Sequence, residues 1–168
     1  MILHDRTLRR MLGAGLLIEV PDYDLVNPAS IDLRIGHAAK VEAPDGFRDL
    51  DLRPWSERNP YPVPPGQFLL VETIETLRIP LDCAAELKLK SSRAREGWNH
   101  ALAFWFDPGW VGIGTMELKN WTTYQTLYVW PGLRFGQLIV HRLDGQAQPY
   151  RGRYQHATGV EEARPCRS

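Results

Sequence analysis

The run Phe106-Asp107-Pro108-Gly109-Trp110-Val111-Gly112, leading into Thr115-Met116-Glu117-Leu118-Lys119-Asn120, decides how this chain is to be read. Asp-Pro-Gly is a tight-turn signal, because proline presets one dihedral and glycine supplies another that other residues resist. The residues after the turn alternate with a period of two. On a strand, Thr115, Glu117 and Lys119 share one face while Met116 and Leu118 share the other. A strand introduced by a turn predicts a hairpin-rich β protein, and the same grammar recurs on both sides.

Downstream, Trp130-Pro131-Gly132-Leu133-Arg134-Phe135-Gly136-Gln137-Leu138 is again a Pro-Gly turn opening a strand, predicted over 135–142, with Gln137 as its polar outlier. A strand is also expected over 126–129. Upstream, strands are predicted over 67–72, 86–90, 101–106 and 112–119. Ile31-Asp32-Leu33-Arg34-Ile35 alternates with Ile31, Leu33 and Ile35 on one face, and Gly36 punctuates it. Leu16–Val20 is a strand stopped by Pro21. Before it, Asp5 is a candidate N-cap for a short helix with Leu8, Met11 and Leu12 on one face, ended by Gly13 or Gly15. Residues 44–66 hold six prolines and read as an irregular surface excursion. Residues 145–168 lose apolar periodicity and read as an arm. With no repeat or linker, 1–168 is expected to form one all-β domain, a sandwich or jelly roll with a short N-terminal helix.

The bulk figures narrow the function classes. At 168 residues the chain can bury a core unaided by metal or disulfide. Twenty basic residues balance twenty acidic ones, so no overall field favours a nucleic acid or an acidic membrane. An anionic ligand must be held by a local cluster. Cys83 and Cys166 form no Cys-x-x-Cys pair, and the N-terminal residues are too polar for an export signal, so a cytoplasmic protein is expected. No apolar run has the length of a membrane helix.

Lys90-Ser91-Ser92-Arg93-Ala94-Arg95-Glu96-Gly97 places two hydroxyls and three cations in six positions after a strand. Such a set suits phosphate oxygens or polar groups at a reacting centre; it also suits an exposed basic helix turn capped by a serine. Thr115, Glu117 and Lys119 can equally be a solvated polar edge. The cluster Trp98, Phe104, Trp105 and Phe106 is either core packing or a reshaped pocket wall.

In their order and spacing these runs resemble the dCTP deaminase family, relatives of the trimeric dUTPases. Asn27–Gly36 is close to P-x-S-x-D-L-R-L-G, and Ser91–Arg95 is similar to R-S-S-x-x-R. Asp107–Asn120 resembles D-P-G-[FW]-x-G-x-[IV]-x-L-E-[LF]-x-N, with Gly114 and Met116 at variance, and Pro131–Leu138 matches P-G-x-x-[IF]-G-Q-L. Pro149-Tyr150, Arg153-Tyr154-Gln155 and Gly159 echo the family's terminal P-Y…K-Y-Q-x-Q-x-G. The likeness spans residues 27–159.

The resemblance implies a distorted jelly roll, the dUTPase-like β-clip barrel, whose arm from about residue 145 closes over the site. It implies hydrolytic deamination of dCTP to dUTP and ammonia with Glu117 as general acid/base. Ser91 and the Ala103 carbonyl would position water, and Arg95 would pair with Glu117. Asp107 would take the deoxyribose 3′-hydroxyl. Lys90, Ser92, Arg93, Gln137, Tyr150 and Arg153 are the triphosphate candidates, with Thr115 and Met116 as further nucleotide contacts. Mg²⁺ would enter on the triphosphate. A homotrimer with sites between subunits is implied, with no nucleic-acid or membrane partner. Zinc is not expected: no histidine is followed two places on by glutamate, and Pro165-Cys166 lacks a second cysteine.

Lys90 stands where the family has arginine, Arg153 where it has lysine and Ala157 where glutamine is common, and the Gly97–Asp107 loop is one residue short. Two rival functions remain open. One is a dUTPase or a bifunctional enzyme that releases dUMP and pyrophosphate. The other is a nucleotide-binding regulatory protein that kept the fold and lost the chemistry.

Overall fold

The computed structural model describes residues 1–101 and 105–164. Helix α1 (Asp5–Gly13) buries Leu8, Met11 and Leu12 as the i, i+3, i+4 spacing requires. His4 occupies the N-cap position, and Asp5 is the first helical residue. The Asp5 carboxyl sits below the usual carboxylate range because the Arg6 backbone N–H and the His4 ring donate to it.

Twelve strands follow among the described residues. β1 (Leu17–Ile18) and β2 (Val26–Asn27) are short, with a 3-10 turn at Tyr23–Leu25 between them. Next come β3 (Ser30–Ala43), β4 (Gly46–Asp51), β5 (Tyr61–Val63), β6 (Phe68–Arg78) and β7 (Cys83–Leu89). Helix α2 (Ser91–Glu96) leads to β8 (Trp98–Asn99), β9 (Trp105–Phe106), β10 (Val111–Asn120), β11 (Leu127–Val129) and β12 (Arg134–Arg142). The main sheet runs β8-β10-β6-β3-β12-β7-β9, and β11 pairs with β5 in a second, two-stranded sheet.

Strand β3 makes the sheet curl. Its first half pairs with β12 at Ile31–Arg34, and its second half pairs with β6 and β4. The register with β6 shifts between Ile35 and Ala39. Glu72 of β6 holds that irregularity: its carboxylate accepts the His37 and Ala38 N–H groups, each at 2.9 Å. A Cβ on Gly36 would sit 2.4 Å from Glu72 Cγ, so only glycine lets the carboxylate reach across. Gly36 therefore marks a bulge inside a long strand, not a strand end. This is a distorted, all-β jelly roll.

The stretch 44–66 is more ordered than its prolines suggest. Pro44-Asp45 turns β3 into β4, and the hairpin keeps register from Ala43 opposite Gly46 to Ala38 opposite Asp51. Phe47 and Leu50, the half-buried residues of β4, are three apart, which hides the strand from a period-two search. The two faces close on one core containing Leu8, Leu33, Leu69, Leu118 and Phe135. Each such side chain contributes about 1.5–3 kcal/mol on burial. Trp98 is part of this core, 3% exposed and edge-on to Phe135 at 5.4 Å.

Candidate active site

Strand β10 carries the site, and its alternation is the reason. Met116 and Leu118 are buried in the core, while Ile113, Thr115 and Glu117 turn to a cavity of about 470 Å³. The walls are mostly aromatic: Phe47 from β4, Phe68 from β6, Trp105 and Phe106 from β9, and Trp110 before β10. Phe106 and Trp110 pack at 4.9 Å between ring centroids. A cavity of this size, apolar with few polar groups, suits a small organic ligand.

Glu117 is the polar feature of the floor. Its Oε2 is buried and has no hydrogen-bond partner among the described residues. Burial pushes its carboxyl above the usual carboxylate range, opposed weakly by a hydrogen bond from its own backbone. A largely desolvated carboxyl with one unpartnered oxygen can exchange a proton with whatever fills the cavity.

Asp107 lines the same cavity and accepts the Trp105 indole N–H at 3.1 Å. Thr115 Oγ accepts the Glu161 N–H at 2.9 Å. The other lining acids, Glu161 and Glu162, come from the arm and are paired with Arg164 and Lys40 at 2.6 and 3.0 Å. Among the described residues, the charged groups lining the cavity are thus all acidic.

The arm is fastened along the start of β10. The Gln155 side chain accepts the Val111 N–H at 2.9 Å and donates to the Gly109 carbonyl at 2.8 Å. Ile113 N–H then donates to the Ala157 carbonyl at 2.8 Å. A Cβ on Gly112 would stand 2.9 Å from the Ala157 nitrogen, so this glycine admits the arm's backbone. Tyr150, Tyr154 and Ala157 complete the rim.

The structure brings Glu117, Asp107, Thr115 and Tyr150 together, and it leaves the basic run elsewhere. Ser91, Ser92 and Arg95 lie on α2, exposed, and none lines the Glu117 cavity. Arg95 and Glu117 therefore form no ion pair within the described chain. Arg93 pairs with Glu96 at 2.8 Å. Lys90 Nζ reaches both oxygens of the buried Asp32, at 2.6 and 2.7 Å, with Asn27 donating to the same carboxylate at 2.7 Å. Its charge is largely spent there. Gln137 donates to Ser30 Oγ at 3.2 Å, and Arg153 donates to the Arg164 carbonyl. Met116 faces the core, so only its backbone could meet a ligand. Ala103 lies outside the described residues.

Sequence reasoning missed Phe47, Phe68, Glu161 and Glu162. Phe47 and Phe68 approach the cavity only because β6 pairs with β10 while β4 pairs with β3 on the far side of β6, and no local signal marks them. Trp105, by contrast, is 58% exposed at the cavity mouth, so the described members of the aromatic cluster, Trp98, Trp105 and Phe106, are split between core and site, and Phe104 lies outside the described residues.

Among the described residues, no group of three or more His, Cys, Asp or Glu is arranged to hold a metal ion, and no helix is long and apolar enough to cross a membrane. The family profile described as dCTP deaminase-like matches residues 2–143. A "dCTP deaminase, dUMP-forming" of Parafrankia sp. is 33% identical over 99% of this chain and 92% of its own length. A protein of the same name from Mycobacterium avium is 36% identical over 89% of this chain and 85% of its own. Among solved structures, the 2′-deoxycytidine 5′-triphosphate deaminase from Agrobacterium tumefaciens superposes with a TM-score of 0.68 at 26% identity. That match covers 84% of this chain and 47% of the other, so the chain spans about half the length of that structure. With a profile match over most of its length and relatives alike nearly end to end, the chain belongs to the dCTP deaminase-like family.

Proposed function

We propose that this protein deaminates the cytosine ring of dCTP, with Glu117 as the acid/base. The observation that carries the proposal is the buried Oε2 of Glu117, without a hydrogen-bond partner among the described residues, on the floor of an aromatic cavity. Glu117 takes a proton from water, the resulting hydroxide adds to C4, and the proton passes to N3. Glu117 then takes the proton of the new C4 hydroxyl and hands it to the amine, and the C4–N bond breaks to release ammonia as the C4 carbonyl forms. The aromatic walls exclude bulk water and strengthen each polar contact inside. Asp107 accepts the sugar 3′-hydroxyl.

A triphosphate needs cations, and the cavity wall supplies acids. Arg93 on α2, with the Ser92 hydroxyl beside it, answers that need if a second copy of the chain presents the helix across an interface, and the same approach would bring Ser91 to the water and Arg95 to Glu117. This favours a homotrimer with shared sites. Mg²⁺ would be held by phosphate oxygens, with no cage of protein ligands required.

The names of the relatives favour a further step, loss of pyrophosphate to give dUMP. Incubation with dCTP distinguishes the outcomes: ammonia with pyrophosphate means dUMP formation, and ammonia with dUTP means deamination alone. Tight nucleotide binding with no ammonia would refute both. Glu117→Gln should lower kcat by about 100- to 10,000-fold with binding retained. In the wild type, turnover should fall on acidification as Glu117 takes up its proton. Burial moves that limb upward and an approaching Arg95 draws it down. In Glu117→Gln the limb should vanish.

A further inference from the structure

We infer that Thr73 is a positioning residue for Glu117, a role that rests on the acid/base function proposed above. The register between β10 and β6 changes between Ile113 and Thr115. Ile113 faces Thr76 and Thr115 faces Glu72, so Thr73, Ile74 and Glu75 stand opposite Gly114 alone. Such a bulge breaks the ladder and leaves backbone groups to be satisfied by other means.

The Thr73 hydroxyl satisfies two of them. It donates to the Glu75 carbonyl at 2.8 Å and accepts the Gly114 N–H at 3.0 Å. Thr73 is 2% exposed, and Glu75 is itself clamped by the Arg34 N–H and Nε at 2.9 and 2.7 Å. The hydroxyl therefore ties β10 to a fixed point of the adjoining strand, three residues before Glu117. Close approach makes the tie stiff. A Cβ on Gly114 would lie 3.3 Å from Thr73 Cγ2, 3.4 Å from its Oγ1 and 3.5 Å from the Phe106 ring.

Beyond the bulge, the ladder runs unbroken from Thr115 opposite Glu72 to Lys119 opposite Phe68. Any slip at Gly114 is thus carried along the strand to Glu117. Thr73 does not line the cavity, so its effect reaches the reaction only through the placement of that carboxylate.

Three variants test the role, each compared with Glu117→Gln. Thr73→Val keeps the shape and removes the hydroxyl; it should lower kcat by about 10- to 100-fold, because a displacement near 1 Å can cost that much. KM for dCTP should change by less than about threefold, and the acidic limb should shift, since Glu117 sits in a changed environment. Thr73→Ser restores the hydroxyl and should recover kcat to within about threefold of wild type. Gly114→Ala presses on the same contact and should reproduce the kcat loss and limb shift, which keeps the test decisive if Thr73→Val fails to fold. Wild-type kcat and limb in folded Thr73→Val, or in Gly114→Ala, overturn the inference. So does a Thr73→Ser variant as slow as Thr73→Val. Full turnover in Glu117→Gln would instead refute the acid/base assignment and leave the bulge geometry untouched.

Discussion

Replacing Asp32 by asparagine removes the charge that anchors the basic run. Asp32 is 1% exposed, receives Lys90 Nζ at 2.6 and 2.7 Å and Asn27 Nδ2 at 2.7 Å, and has Arg134 at 3.7 Å. Lys90 also occupies the N-cap position of α2, so the ion pair pins the helix that presents Ser91 to Arg95. Breaking a fully buried pair costs about 3–5 kcal/mol. The Lys90 side chain is 22% exposed and can turn partly to water, so we expect about 2–4 kcal/mol. For a chain of this size that lowers Tm by roughly 5–15 °C. Thermal unfolding followed by circular dichroism reads the loss, and a double-mutant cycle with Lys90→Met isolates the pair. The double variant should be more stable than Asp32→Asn alone, because no lysine then faces a neutral partner. Asp32→Asn should also raise KM for dCTP as α2 loosens. Unchanged Tm in Asp32→Asn, or strictly additive single changes, would refute the anchoring argument.

Three other substitutions separate roles that the sequence merges. Trp98→Ala removes a core ring and should cost about 3–5 kcal/mol in stability, whereas Trp105→Ala at the cavity mouth should cost under about 1 kcal/mol and act on KM; equal stability losses would contradict this division. Gln155→Ala deletes the side-chain bonds to Val111 of β10 and to Gly109 in the turn before it, about 1–2 kcal/mol of local anchoring. It should speed tryptic cleavage at Arg151 and Arg153 with Tm nearly unchanged, and wild-type cleavage rates would count against the fastening of the arm.

The periodicities of the chain carried the core. Leu8, Met11 and Leu12, the Ile31-Leu33-Ile35 face, and Met116 against Glu117 all lie where a period of 3.6 or 2 puts them, because burial of one face is a local property of sequence. Turn chemistry at Pro108-Gly109 and Pro131-Gly132 bounded the strands for the same reason. The hairpin of β3 with β4 was illegible. Gly36 looks like a stop, and only Glu72, far along the chain, shows why the strand continues through it.

The site divides in the same way. Glu117 is nominated by the ordered runs around it, and its side of β10 follows from alternation. That its Oε2 is buried without a partner goes with a cavity in which Phe47, Phe68 and Trp110 converge from separate parts of the chain, which packing in three dimensions alone arranges. Lys90 makes the contrast sharpest. A lysine before two serines is locally a phosphate ligand as much as anything else, yet its charge goes to Asp32, 58 residues away in the chain. The order of residues nominates the candidates for chemistry. The folded chain settles which of them share a cavity, because electrostatic partnership depends on distance in space and not on position along the backbone.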